Sequence, residues 1–427
     1  MGTSGMAAAR LSRRLGAIPV LLDDGDPQKL SEAAAKARAE GFEVITGPDA
    51  LTPAAVFSLA VLSPGIDPSW PLAMSVSERG VPCVSEVEFA FQQTGVPAIA
   101  ITGTNGKTTT TGLIAHLLSS AGKRTVACGN YGTALSEIVL EDAPLDVLTI
   151  EVSSFQLELI RTFRPVVSVW MNFAPDHLDR HPSLAAYRAA KLRIFENQTP
   201  SDTAVINGAE TYPPLTARCV AFSAWREDTA WTFRDGVIHH QGQPVLAMAS
   251  TQLRGRHNAE NIMAALAAVS AFGLPLQDIV PYIASFKPPR HRCEIAATIN
   301  GREFLNDSKA TNIHAMESAL RGQERPVVLI AGGKEKGLDY APVSSLIREK
   351  TTHVFTIGEI GPALAVTWPG AVFCEDLESA VRQAYEASLP GQSILFAPGT
   401  SSFDMFTGYG HRGDVFCQIV QNLILTL

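Results

Sequence analysis

A loop of small residues followed by Lys107 and Thr108 carries the clearest chemical signal in this chain of 427 residues. The sequence Thr-Gly-Thr-Asn-Gly-Lys-Thr-Thr-Thr occupies positions 102–110, directly after an apolar run at 97–101. Backbone N–H groups of such a loop, together with the N-terminus of a following helix, bind phosphate. The Lys107 ammonium can reach terminal phosphates, and the Thr108 hydroxyl can bind Mg²⁺. The pattern therefore predicts a nucleotide site.

This loop departs at one position from the usual phosphate-binding pattern G-x-x-x-x-G-K-[ST]. That pattern requires glycine at position 101, where the chain has Ile101, and the first glycine is instead Gly103. The alternative is an ordinary strand–helix turn that contains a lysine by chance. Two closely spaced glycines, Gly103 and Gly106, before Lys-Thr in a strand–helix context favour the nucleotide interpretation.

Predicted strands that end on polar residues place further candidates beside this loop. The apolar run at 145–150 predicts a strand that ends on Glu151, and the run at 166–170 predicts another that precedes His177. The carboxyl ends of parallel strands form one edge of a sheet, so Glu151 is suited to bind Mg²⁺ there and His177 can reach the same metal. The alternatives are a solvated loop glutamate and a surface or packing histidine.

Alternating strands and helices along the whole chain predict an α/β fold with parallel sheets. The length predicts two or three domains, and the stiff segment Lys287-Pro288-Pro289 marks one boundary. We expect three domains: a Rossmann-like N-terminal domain at 1–96, a central P-loop ATPase-type domain at 97–288 and a Rossmann-like C-terminal domain at 289–427.

Composition excludes several other classes of protein. The net charge is −8 and no basic cluster is present, which argues against a nucleic-acid partner. No apolar run approaches the ~20 residues of a membrane span, and the N-terminus lacks the core of a signal peptide, so we expect a cytoplasmic protein. The six cysteines are scattered without a C-x-x-C pair, which indicates neither a disulfide framework nor a zinc site.

Several motifs, taken in order, resemble those of the Mur ligase family and of its relative folylpolyglutamate synthetase. They are the glycine-rich loop, Glu151-Val-Ser-Ser-Phe-Gln-Leu, the Asp176-His177 pair, a Y-x-x-A-K segment that ends at Lys191, G-x-H-N-x-x-N at 255–261 and H-R-x-E at 291–294. Members of this family form amide bonds through an acyl phosphate made with ATP. The resemblance implies the same chemistry here, with ATP and two Mg²⁺ ions, and with Lys191 converted by CO₂ to a carbamate.

The resemblance also implies roles for individual positions. The implied catalytic residues are Lys107, Glu151, His177 and Lys191. The implied metal ligands are Thr108, Glu151, His177 and carbamylated Lys191. The implied nucleotide-binding residues are Gly103, Thr104, Asn105, Gly106, Lys107, Thr108, Thr109, Asn258, Asn261, Arg292 and Asp307. For Asn258, which lies at the start of an alanine-rich helix, the structural alternative is a role as N-cap.

The first segment resembles the family domain that binds the UDP part of the substrate. Gly2-x-x-Gly5 before a helix, followed by acidic residues at the next strand end, resembles half a dinucleotide fingerprint. The implied substrate-binding residues of the first and central segments are Thr3, Ser4, Gly5, Asp23, Asp24, Ser63, Gly65, Asn130, Ser153 and Gln156. Unlike the family, the given sequence begins at the glycine pair with no apolar strand before it: either the sequence is truncated or the first strand is absent, and loss of that strand would leave neighbouring strand edges unpaired.

The loop Asn306-Asp-Ser-Lys-Ala-Thr-Asn, residues 306–312, resembles that of the family members that add D-glutamate. An acidic incoming amino acid requires cations and hydroxyl groups, which Lys309 and Thr311 supply. The resemblance adds to this substrate site Lys336, Ser402 and Tyr409. Asp404 is expected to help cap the final helix. The implied reaction is the addition of D-glutamate to UDP-N-acetylmuramoyl-L-alanine in peptidoglycan precursor synthesis.

Two alternatives to this function remain open. Folylpolyglutamate synthetase shares the ATP loop and also ligates glutamate, but it lacks the UDP-type first domain and the loop at 306–312. A regulatory protein that binds the precursor without ligating it is the second alternative, and the intact set of implied catalytic residues argues against it. We expect a monomeric enzyme whose partners are its small-molecule substrates.

Overall fold

The computed structural model describes residues 1–178 and 180–426, and the chain divides into two compact units. The first unit comprises Met1–Phe173, Arg180–Ala247 and Glu260–Phe286, and the second comprises Ala174–Asp179, Met248–Ala259 and Lys287–Leu427. Phe286, the last residue of the first unit, directly precedes the predicted linker at 287–289. The three predicted domain ranges stay a prediction.

Strands and helices alternate along the first 96 residues, as the sequence predicts. These elements are α1 (Thr3–Arg14), β1 (Val20–Asp23), α2 (Ser31–Ala39), β2 (Glu43–Thr46), β3 (Ala60–Leu62), α3 (Pro71–Ser77), β4 (Cys83–Ser85) and α4 (Glu86–Phe91). β1 pairs with β2 and β3 pairs with β4, both in parallel, as two separate two-stranded sheets. No strand pairing joins the two sheets among the residues described.

The elements that follow build the largest sheet of the protein. They are β5 (Ala98–Thr102), α5 (Lys107–Ser120), β6 (Thr125–Gly129), α6 (Leu135–Glu141), β7 (Val147–Glu151), α7 (Ser154–Leu157), β8 (Val167–Trp170), α8 (Leu184–Leu192), β9 (Thr203–Asn207), β10 (Arg218–Ser223), β11 (Trp231–Arg234), β12 (Val237–His240), β13 (Gln243–Ala247), α9 (Arg256–Ala271) and α10 (Leu276–Ile279). Strand order is β13-β12-β11-β10-β9-β8-β5-β7-β6.

The middle of this sheet is parallel and buried. All residues of β5, β7 and β8 are buried, as continuous apolar runs predict for strands covered on both faces. The register pairs Ile101 with Glu151 and Thr102 with Trp170. The carboxyl ends of these three strands therefore lie at one edge, where the glycine-rich loop begins.

The second unit contains a six-stranded sheet in the order β14-β15-β19-β16-β17-β18. Its elements are β14 (Glu294–Ile299), β15 (Arg302–Asn306), α11 (Ile313–Arg321), β16 (Val327–Gly332), α12 (Ser344–Lys350), β17 (Thr351–Ile357), α13 (Gly361–Thr367), β18 (Ala371–Phe373), α14 (Leu377–Ala387), β19 (Ser393–Phe396) and α15 (Tyr409–Thr426). All pairs are parallel except β14–β15. Two buried apolar clusters use opposite faces of this sheet, one with α11 to α13 and one with α14 and α15.

Two local features of these elements follow from single residues. The pair Asp235-Gly236 is typical of a hairpin turn, and both residues have positive φ, 51° and 77°, where they join antiparallel β11 and β12. The α-helix at 276–279 is short, because Pro281 follows and residues 280–285 form a 3₁₀-helix. None of the helices described combines the length and hydrophobicity that a membrane span needs.

Candidate active site

The glycine-rich loop lies between β5 and α5, and both of its glycines are required by close contacts. Gly103 has φ 140°, and a Cβ atom there would lie 2.8 Å from Met171 Cβ. Gly106 has φ 84°, and a Cβ atom there would lie 2.4 Å from Asn261 Oδ1. Because only glycine adopts these conformations in so little space, the loop has the compact backbone that close approach to phosphate requires.

Helix α5 begins at Lys107, and its N-terminus completes the candidate phosphate site. Gly106, in the left-handed region, is the N-cap and supplies no side-chain hydrogen bond. The first turn contains no acidic residue, so the positive end of the helix dipole is available to an anion. Lys107 Nζ donates to Gly103 O (2.9 Å) and Thr104 O (2.8 Å). The predicted phosphate-binding residues 103–109 are therefore contiguous around one helix end.

Asn172 holds this loop in place, and sequence reasoning missed it. Its side chain accepts from Asn105 N (2.8 Å) and donates to Asn105 O (3.1 Å), while its backbone oxygen accepts from Thr104 N (2.8 Å). Asn172 follows β8, the strand next to β5, and this position was the only available signal. Asn261 also lies at the loop, where its Oδ1 accepts from Thr110 Oγ1 (3.3 Å).

Glu151 has the features of a metal ligand. The residue is 2% exposed, and its Oε1 accepts from Asn130 Nδ2 (2.7 Å). Its Oε2 is buried and has no hydrogen-bond partner among the residues described. A buried carboxylate oxygen without a partner is costly, and a divalent cation would satisfy it. The donor set therefore fits Mg²⁺ at this edge, with the Thr108 hydroxyl in the first turn of α5 as the second predicted ligand.

Lys191 lies against the same loop. Its Nζ donates to Gly103 O (2.8 Å) and lies 4.7 Å from the centre of the Tyr187 ring. The Tyr187 hydroxyl in turn contacts Thr104 Oγ1 (3.3 Å). Lys191 is 2% exposed, so it is a buried residue and not an ordinary surface lysine. The Gly103 carbonyl thus accepts hydrogen bonds from both predicted catalytic lysines.

His177 belongs to the second unit and has φ 55°. Its backbone N–H donates to Asp176 Oδ1 (2.9 Å). Asp176 also receives Lys336 Nζ (2.9 Å) and Asn312 Nδ2 (2.9 Å). Burial opposes ionisation of Asp176, but His177, Lys336 and Asn312 outweigh it and hold the pKa of this carboxyl below its usual range. Lys336, predicted to bind a substrate carboxylate, is therefore paired with a carboxylate of the protein.

The other residues predicted to bind D-glutamate lie at the carboxyl end of the second sheet. Lys309 Nζ lies 3.7 Å from the centre of the Tyr409 ring, and Ser308 Oγ donates to Tyr409 O (2.8 Å). Thr311 follows in the same loop, where its N–H donates to Lys309 O (2.8 Å). Ser402 is buried in the loop after β19. The structure therefore brings Lys309 and Tyr409 into direct contact.

The nucleotide-binding residues predicted in the second unit form two groups. Asp307 Oδ1 accepts from Cys293 N (3.2 Å), and burial raises the pKa of Asp307 to about 6 despite the charge of Arg292. Asn258 is the third residue of α9, and its Nδ2 donates to Arg254 O (2.8 Å). The alternative role of Asn258 as N-cap is wrong, because the helix begins two residues earlier.

Substrate residues predicted in the first segment surround the start of α1. Thr3, Ser4 and Gly5 form its first turn, which contains no acidic residue. A Cβ atom at Gly5 would lie 3.2 Å from Ser63 Oγ, so these two predicted residues are neighbours. Asp23 ends β1 and pairs with the ammonium group of Met1 (2.8 Å). Two further predicted residues are exposed in the loops after β1 and β3: Asp24 and Gly65.

Three predicted roles are changed by the local geometry. Ser153 and Gln156 form a capping box at the start of α7, in which Ser153 Oγ accepts from Gln156 N and Gln156 Oε1 accepts from Ser153 N. A structural role therefore stands beside their predicted substrate role. Asp404 does not cap the final helix, which begins at Tyr409; its Oδ2 accepts from Glu359 N (3.0 Å).

Comparison with known proteins agrees with this arrangement. Residues 101–269 match the Mur ligase middle domain, and residues 291–400 match the Mur ligase glutamate ligase domain. The chain is 38% identical to a UDP-N-acetylmuramoylalanine--D-glutamate ligase from Syntrophotalea carbinolica, over 99% of this chain and 96% of the relative. It is also 38% identical to the ligase of that name from Desulfitobacterium hafniense (strain DCB-2), over 98% of this chain and 96% of the relative.

A similar fold is found among solved structures. MurF ligase from Thermotoga maritima in complex with ADP has a TM-score of 0.62 and 14% identity, over 87% of this chain and 97% of that chain. At this identity the likeness concerns the fold alone, and it agrees with the α/β architecture predicted. Near-full-length identity of 38% to the two ligases is decisive for the family. The chain belongs to the Mur ligase family.

Proposed function

We propose that this protein is an ATP-dependent ligase that adds D-glutamate to UDP-N-acetylmuramoyl-L-alanine through an acyl phosphate, in peptidoglycan precursor synthesis. The observation that carries the proposal is the 38% identity, over 99% of the chain, to a ligase named for this activity. The geometry supports it, because Lys107 and Lys191 both donate to Gly103 O of the glycine-rich loop, Glu151 has a buried oxygen that a cation would satisfy, and Lys309 lies against Tyr409 in the second unit.

ATP would bind with its phosphates on the backbone N–H groups of residues 103–108. Lys107 Nζ, which donates to Gly103 O and Thr104 O, would exchange these carbonyls for oxygens of the terminal phosphate. The terminal L-alanine carboxylate of the sugar nucleotide attacks that phosphorus, and ADP leaves. Charge builds on the phosphoryl oxygens during this step, so fixed cations and amide hydrogens contribute most of the stabilisation.

The second step forms the amide bond. The amine of D-glutamate attacks the acyl carbon, the carbon–oxygen bond to phosphate breaks, and inorganic phosphate leaves. Lys309, Thr311, Lys336, Ser402 and Tyr409 would bind the amino acid through its carboxylates. Lys336 Nζ, which lies 2.9 Å from Asp176 Oδ1, would instead bind a substrate carboxylate. The two interactions are alike, because each is a charge-assisted hydrogen bond between an ammonium group and a carboxylate.

Mg²⁺ fits the donor set of the first unit. Thr108 and Glu151 would hold one ion, and the buried Oε2 of Glu151 is the atom that this ion would satisfy. When bound, Mg²⁺ neutralises phosphate charge and polarises the terminal phosphoryl group.

We also propose that a second ion binds near His177. We propose separately that Lys191 carries a carbamate. A ¹³C-bicarbonate label read by NMR tests the carbamate: a carbamate signal that disappears in Lys191→Ala supports it, and its absence in the wild type contradicts it.

The proposed function is tested by measuring ATP hydrolysis with defined substrates. Phosphate release should require UDP-N-acetylmuramoyl-L-alanine together with D-glutamate, and mass spectrometry should detect the amide product. Replacing the sugar nucleotide with a folate should abolish release. Turnover of the folate, or binding of the sugar nucleotide without ligation, would contradict the proposal.

We further propose that the protein is a monomer and that it acts in the cytoplasm on these soluble substrates. Light scattering in solution measures the mass of the particle and so tests the monomer directly.

A further inference from the structure

Arg412, in the first turn of α15, is a fully buried cation. Its guanidinium donates to Ser308 Oγ (3.0 Å), Ser308 O (2.9 Å), Thr400 O (3.1 Å) and Ser401 O (3.1 Å). Within the part of the chain that the structure describes, no carboxylate forms an ion pair with it, although the charge of Asp404 acts on it. Burial lowers the pKa of Arg412 to about 10, so the group stays charged at neutral pH.

The acceptors of Arg412 belong to loops that carry the residues expected to bind the amino acid. Ser308 precedes Lys309, and Thr400 and Ser401 precede Ser402. A third segment approaches the same guanidinium: a Cβ atom at Gly333, three residues before Lys336, would lie 3.0 Å from Arg412 Nη1. Three separate segments therefore meet around one side chain.

The chemistry of arginine explains why these loops can meet in this way. A buried charge is costly unless hydrogen bonds satisfy it, and here carbonyl and hydroxyl oxygens do so. The planar guanidinium directs its donors along fixed, diverging lines, so the positions of its acceptors are fixed relative to one another. Lysine would keep the charge, but its single ammonium group cannot reproduce the planar arrangement of donors that the guanidinium provides.

We propose that Arg412 is a positioning residue for the acidic amino acid, because it joins the loop of Lys309 to the loop of Ser402 and so sets the distance between them. The inference rests on the proposed function, since it concerns the D-glutamate site. Loss of the guanidinium would let these loops separate, which weakens binding of the amino acid and leaves the nucleotide and sugar-nucleotide sites unchanged.

The test compares KM values for all three substrates in Arg412→Met and Arg412→Lys. We expect the KM for D-glutamate to rise about 10- to 100-fold in both variants, because several charged hydrogen bonds that hold the loops are lost. The KM values for ATP and the sugar nucleotide should change by less than about twofold. Hydroxylamine, a small nucleophile that needs no amino-acid site, should trap the acyl phosphate as a hydroxamate at the wild-type rate.

Arg302 is the matched control. It also donates to a serine side chain and to backbone carbonyls, through Ser388 Oγ (2.9 Å), Ser388 O (2.9 Å) and Asn300 O (3.1 Å), and within the described residues it has no hydrogen bond to a predicted substrate loop. Arg302→Met should leave the KM for D-glutamate unchanged. An unchanged KM in Arg412→Met, or an equal rise in all three KM values, would overturn the proposal.

A milder variant provides the test if Arg412→Met does not fold. If thermal unfolding shows that Arg412→Met does not fold, Ser308→Ala removes one acceptor of Arg412 and one donor to Tyr409 O. It should raise the KM for D-glutamate by about threefold or more; no rise would overturn the proposal. A wild-type enzyme that does not use D-glutamate at all would instead refute the proposed function, before any variant is compared.

Discussion

Replacing Asn172 with alanine should weaken nucleotide binding. The effect does not require the Asn172 side chain to contact the nucleotide. The substitution removes two hydrogen bonds to the backbone of Asn105, of 2.8 and 3.1 Å. Each such bond contributes about 0.5–1.5 kcal/mol net, so the ordered loop loses about 1–3 kcal/mol. A loop that is not held beforehand must be ordered by the nucleotide, and this cost appears as weaker affinity.

The expected loss of affinity is about 5- to 150-fold for this range of free energy. Isothermal titration calorimetry with a non-hydrolysable ATP analogue measures it directly. Asn197→Ala is the control, because Asn197 Nδ2 also donates to two backbone carbonyls, Arg161 O (3.0 Å) and Phe163 O (3.1 Å), away from the loop. Equal affinity for the analogue in Asn172→Ala and in the wild type would refute the reasoning, as would an equal loss in Asn197→Ala.

Three further predictions concern the nucleotide site and stability. Lys107→Ala should reduce ATP-dependent phosphate release by about 10²-fold or more while the melting temperature stays near that of the wild type; full activity would refute the loop assignment. Glu151→Gln should raise the Mg²⁺ concentration for half-maximal activity by about tenfold or more, since an anionic ligand is lost; an unchanged Mg²⁺ titration would exclude Glu151 as a ligand. Burial raises the pKa of Glu260 from 4.5 to about 7, so the folded state holds this proton longer than the unfolded state and stability falls as pH rises from about 4.5 to 7. At pH 8, Glu260→Gln should therefore unfold at a higher denaturant concentration than the wild type, with a free energy of unfolding that is larger by up to about 3 kcal/mol. At pH 4 the free energies of unfolding of the two proteins should be nearly equal; the same difference at both pH values would contradict this.

The placement of the candidate residues of the first unit could be predicted because their signals are contiguous in sequence. An apolar strand, two glycines and Lys-Thr lie within twelve residues, and β7 ends on Glu151, where the apolar run stops. The parallel register then places Glu151 beside the loop. Local pattern and sheet topology therefore suffice for these residues.

Other features depend on neighbours that are distant in sequence, and local pattern cannot indicate them. Asn172 and Asn105 are 67 positions apart, and Arg412 and Ser308 are 104 positions apart. The pairing of Lys336 with Asp176 also arises only in the folded second unit. Asn258 illustrates a smaller difference: as an N-cap, its alternative role, it would start the helix at Ala259, three residues after the actual start at Arg256, which follows Gly255 with φ 80°.

The central claim is that the carboxylate of the sugar-linked alanine attacks the terminal phosphate of ATP. Labelling that carboxylate with a heavy oxygen isotope and analysing the phosphate released during turnover with D-glutamate tests the claim most directly. An acyl phosphate transfers one labelled oxygen to each phosphate, because the bond that breaks in the second step lies between carbon and that oxygen. Phosphate without label, released together with the amide product, would contradict the account.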